Sequence, residues 1–69
     1  MPFNYGALRG KIREVFGTQE AFAAEMGMSM STLSGKLRGR TEWTRAEMDL
    51  ALKLLDIPVA EVSLYFFSH

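Results

Sequence analysis

Apolar residues recur along this chain at helical spacings, and no stretch of four or more residues alternates strictly as a half-buried strand would. The pattern predicts five short helices and no sheet. Leu8, Ile12, Val15 and Phe16 stand at i, i+4, i+7 and i+8 and form the core stripe of the first helix. Asn4 is placed to cap it, Phe3 and Leu8 form a hydrophobic staple across the cap, and Gly17 stops it. Gly10, inside this helix, predicts close approach of a neighbouring element.

Thr18 caps a second helix, Gln19 to Met26, whose Phe22 and Met26 share a face, and Gly27 ends it. Ser29 caps a third, Met30 to Arg38, with Leu33 and Leu37 turned inward and Gly39 just past its end. The fourth has the clearest start: Thr44-Arg45-Ala46-Glu47 is a capping box, with Trp43 and Met48 as its staple and Met48, Ala51, Leu52 and Leu55 as its core stripe. Pro58 suits the first position of a fifth helix that carries Val62, Tyr65 and Phe66 on one face. A chain of 69 residues buries too little surface to be divided, so residues 1–69 are expected to share one core in a single all-α domain.

Composition narrows the function more than the fold. With 48% hydrophobic residues the chain is too apolar for a disordered tail. It has no cysteine, so disulfides and thiolate metal sites are excluded, and no signal peptide or long apolar run stands out; a bacterial cytoplasmic location is expected. His69 is the only histidine and sits at the terminus, the carboxylates form no paired signature, and no glycine-rich phosphate loop is present. No catalytic residue, metal or cofactor is therefore expected. The net charge is zero, but its distribution is uneven. Residues 1–40 carry six bases against three acids, a net of +3, and residues 41–69 carry two against five, a net of −3. One end of the molecule can face phosphate while the other faces water or a partner.

Two helices of about eight residues joined by a short glycine turn define a helix-turn-helix, whose second helix enters the major groove of DNA. Residues 18–39 meet its requirements, with Ala23 small at the helix crossing, Gly27 in the turn and Phe22, Met28, Leu33 and Leu37 inside. On Gln19, Ala23, Gly27, Leu33 and Gly39 the segment resembles the helix-turn-helix of lambdoid phage repressors and Cro proteins, and the five-helix plan extends the likeness over nearly the whole chain. Down to Tyr65-Phe66-Phe67 it is also similar to small stand-alone regulators of phages and prophages.

The resemblance implies a compact five-helix lambda-repressor-like domain that binds double-stranded DNA as a homodimer and regulates transcription, in the manner of a Cro-like repressor. Gln19 and the amides beside it would hold a phosphate, and Met30, Ser31, Ser34, Gly35 and Arg38, following Ser29, would face the bases. Lys36, Arg40 and Arg45 would flank the groove as phosphate contacts. The outer face lacks the Gln or Asn that would grip an adenine, which leaves Arg38 as the one residue able to hold a guanine at two points. Gly35 suggests close approach of backbone and DNA. Tyr65, Phe66 and Phe67 are either a plug of the core against Phe3 and Trp43 or the dimer interface. The alternative function is a protein-interaction module, such as an antirepressor or an antitoxin, that binds its partner through the acidic half.

Overall fold

A computed structural model describes residues 5–67. Five α-helices follow one another, α1 (Gly6–Phe16), α2 (Gln19–Met26), α3 (Met30–Leu37), α4 (Arg45–Leu54) and α5 (Val62–Phe66), with a 3₁₀ turn at Val59–Glu61. Among the described residues there is no strand. The elements agree with the spacing of apolar positions because each helix buries one stripe: Leu8 and Ile12 from α1, Phe22, Ala23 and Met26 from α2, Leu33 and Leu37 from α3, Ala51 and Leu52 from α4 and Phe66 from α5. The second helix is central and packs on α1, α3 and α4, while α5 returns to α1. Phe22 is fully enclosed there, with the ring of Phe16 edge-on at 5.4 Å.

Local chemistry sets the boundaries. Thr18 Oγ1 accepts from the amide of Ala21 at 3.2 Å and Ser29 Oγ from that of Thr32 at 3.1 Å, so α2 and α3 each begin on a side-chain cap. At Thr44 both halves of the capping box are made, at 2.9 and 3.1 Å. Three helices end on the same reversed turn. Met28 N–H reaches Ala23 O, Arg40 N–H reaches Gly35 O and Ile57 N–H reaches Leu52 O, all near 3.0 Å. Each needs a left-handed residue just before it, supplied by Gly27 (φ +73°), Gly39 (φ +78°) and, without a glycine, Asp56 (φ +56°).

Four expectations change. Val15 is 45% exposed, because α2 folds back over the Phe16 side of the last turn of α1 and leaves the Val15 side open. Among the described residues a side chain added at Gly10 would meet nothing within 4 Å, so no described neighbour explains that glycine. The third helix stops at Leu37, and Arg38 is its cap residue. Pro58 starts the 3₁₀ turn through Glu61 N–H to Pro58 O at 2.9 Å, which leaves only five residues for α5. The expected cap at Asn4 and staple residue Phe3 lie outside the described residues.

Candidate nucleic-acid interface

The turn Gly27–Ser29 sets α3 across α2, and the caps at Thr18 and Ser29 keep both helix starts ordered. Met30, Ser31 and Arg38 are exposed along α3 and its end, Ser34 is half-buried beside them, and Gln19 stands half-buried at the start of α2. Of these, Gln19 and Met30 line an open cleft of about 660 Å³, together with Arg9 and Arg13 among others. Arg9 is partly committed. Its guanidinium donates to Leu37 O at 2.9 Å, which satisfies a carbonyl at the end of α3 and ties α1 to that helix. Neither Arg9 nor Arg13 stood out in the sequence, because an arginine on an amphipathic helix reads as part of a solvated face until a second helix is set against it.

Ser29 is exposed, but its hydroxyl is spent on the cap and on Thr32 Oγ1 at 3.0 Å. Arg40 is exposed in the loop after α3. Arg45 projects from the start of α4 with its side chain 89% accessible and pairs loosely with Asp49 at 3.8 Å.

Two residues expected on this surface are turned to other uses. Lys36, expected to hold a phosphate, is only 6% exposed. Its Nζ donates to Glu42 O and pairs with Glu47 Oε1, both at 2.9 Å, and lies 5.9 Å from the centre of the Trp43 ring. Residues three apart neighbour each other on a helix, and the loop and α4 cover position 36 beside the buried Leu33 with acceptors for its charge. Gly35 is crowded from within the chain: a Cβ there would stand 3.2 Å from Thr41 Oγ1, and its carbonyl accepts from the amides of Arg40 and Thr41. Its lack of a side chain serves the closing loop, so no approach of DNA is required to explain it.

Glu47 gathers the loop on the other side. Its carboxyl is held below the ordinary carboxylate range, first by the Thr44 backbone N–H and then by Lys36, against the opposing effect of burial. Burial and the charge of Glu42 push the Tyr5 hydroxyl above its ordinary value.

The C-terminal aromatics divide. Phe66, expected either in the core or at a dimer interface, is 3% exposed and meets Trp43 edge-on at 5.0 Å, so it belongs to the core of the single chain. Tyr65 is half-buried against that core, and Phe67 is 50% exposed. Tyr5, Glu42, Trp43, Met48, Phe66 and Phe67 frame a second cleft of about 230 Å³. Among the described residues no group of three or more acidic, histidine or cysteine side chains is placed to hold a metal, and no helix is long and apolar enough to cross a membrane.

The whole chain, residues 1–69, matches the model of a family described as "Protein of unknown function (DUF739)". Among solved structures, it is similar to the solution structure of the modulator of repression (MOR) of the temperate bacteriophage TP901-1 from Lactococcus lactis. The two are 39% identical with a TM-score of 0.85, over 97% of this chain and 90% of that one. No curated protein matches. The five-helix arrangement is therefore the fold of a small phage regulator.

Proposed function

We start from the fact that this chain belongs to the DUF739 family, and we propose that it is a phage or prophage regulator of repression that docks on double-stranded DNA through α3. One observation carries this reading. Two side-chain-capped helices meet at a left-handed glycine and hold Met30, Ser31, Ser34 and Arg38 in an outward row beside Gln19. In a major groove, Arg38 would supply the long, two-pronged donor, Met30 an apolar contact to a thymine methyl, and the serines adaptable hydrogen bonds. Arg40 would neutralise a phosphate, and Gln19 would hydrogen-bond one from the start of α2. Arg45 would add a weaker contact, because Asp49 competes for it. Transcriptional control would follow from occupying an operator as a symmetric dimer.

A second reading is favoured by a different observation. With Lys36 spent inside, Arg38 is the one charged side chain left in the outward row of α3, while Val59, Leu64 and Phe67 leave apolar surface open in the acidic half. Together with the name of the similar phage protein, this supports a regulator that acts by binding a phage repressor protein.

Selection from random duplexes followed by salt titration separates the two. The DNA reading expects a selected site bound with an affinity that falls steeply with salt, and Arg40→Ala lowers the salt slope by about one unit. Arg38→Ala costs about 1 to 3 kcal/mol and relaxes the preference at one base pair. No selected sequence, together with a stable complex with a phage repressor, would favour the second reading.

A further inference from the structure

The outward face of α3 and the cleft framed by Trp43, Phe66 and Phe67 are supported by one buried side chain that both share. Lys36 leaves α3 directly after Ser34 and Gly35, and its ammonium meets two residues of the cleft wall, Glu42 and Trp43, and one outside it, Glu47. It donates to the carbonyl of Glu42, pairs with Glu47 at the start of α4, and lies over the Trp43 ring. Trp43 in turn rests edge-on against Phe66, and Glu42, Trp43 and Phe66 all line the cleft.

The two partners differ in what holds them. The indole N–H of Trp43 is buried and has no acceptor among the described residues, so within them the ring is kept in place by packing, chiefly on Phe66. Lys36 is held by its acceptors instead. A buried ammonium must keep its acceptors, because a charge left unpaired in the interior is far costlier than a shifted ring. When the Glu42 backbone beside Trp43 moves, Lys36 has to follow its acceptor, and with it the last turn of α3, where Gly35 O also holds the amides of Arg40 and Thr41.

We propose that Lys36 is a positioning residue that couples the aromatic cleft to the outward face of α3, so that a change at the rim of the cleft alters the α3 face through the Lys36–Glu42–Glu47–Trp43 cluster. What α3 binds rests on the function proposed above. The coupling is a property of the chain alone, and a ligand on either surface would change the affinity of the other by the same factor.

The test uses the whole chain without DNA or partner. Phe67→Ala perturbs the cleft at its exposed rim, and amide and indole NMR shifts report how far the change travels. In the parent background the Trp43 indole, Ser34 and Gly35 signals all move. In a Lys36→Met background, which keeps an unbranched side chain one atom shorter and removes its charge, the Trp43 signal still moves and the Ser34 and Gly35 signals stay put. Glu47→Gln retains an acceptor for the Thr44 amide and removes the opposing charge, and it weakens the same transmission if Lys36→Met proves unfolded. Shifts that stop at Trp43 in the parent, or that reach Ser34 and Gly35 unchanged in both variants, overturn the proposal. Failure to bind DNA would count only against the function proposed above.

Discussion

A lysine that is 6% exposed is tolerable here because every demand of its ammonium is met close by: a carbonyl, a carboxylate and an aromatic face. The same residue-level logic yields predictions at two glycines. Gly27 holds φ at +73°, where a β-branched side chain collides with its own backbone, so Gly27→Val should cost at least about 1 to 2 kcal/mol in a thermal or denaturant melt. Gly10 gives the opposite result. It sits in the interior of α1 with open space where a Cβ would go, so Gly10→Ala should stabilise by about 0.5 to 1 kcal/mol through helix propensity alone. A destabilised Gly10→Ala variant would mean that an unseen neighbour approaches α1 there.

At the scale of elements, the capping box of α4 does two tasks, since Glu47 closes the cap on Thr44 and also receives Lys36 from α3. Thr44→Ala should cost about 1 kcal/mol, the ordinary value of an N-cap. Acid should act on the same group in a defined direction. The carboxyl of Glu47 is held low in the folded chain, so its contribution to stability is complete above the ordinary carboxylate range and is lost as pH falls through the depressed folded value. Melting temperatures of the parent and Glu47→Gln should therefore differ most at neutral pH and converge in acid. A constant difference at every pH would mean that the ionised carboxylate is not what Lys36 and the cap require.

For the molecule as a whole, a single small reading head with one long base-reading side chain can make few specific contacts, fewer than the typical affinity of about 10⁻⁸ M or better requires. A two-fold pair would place two α3 helices about 34 Å apart, one turn of duplex. Phe66 cannot join such a pair without leaving the core, whereas Phe67 can, being half exposed at the rim of the second cleft. Phe67→Ser should leave helix content unchanged, shift the mass in solution toward 7.8 kDa, and weaken binding to a two-half-site operator more than to one half-site. Sedimentation at micromolar concentration checks the mass and circular dichroism checks the fold. A variant that remains dimeric with full affinity would place the pairing surface elsewhere.

What the sequence determined by itself was local. Periodicity gave the helices, Thr18, Ser29 and Thr44 gave three starts, and Gly27 and Gly39 gave two ends, because capping and left-handed turns depend on residues within a few positions of one another. Asp56 escaped notice since it performs a glycine's task with a side chain. The outward placement of Met30, Ser31 and Arg38 was legible for the same local reason, as it follows from which side Leu33 and Leu37 take. Only the tertiary structure decided the rest. Whether a cation on a helix meets solvent or an acceptor depends on elements far away in the chain: Arg9 finds Leu37 O twenty-eight residues on, and Lys36 finds Glu47 across a loop. The division between Phe66 inside and Phe67 outside likewise depends on how the 3₁₀ turn after Pro58 sets α5 against Trp43 and α1, a packing choice that no local spacing encodes.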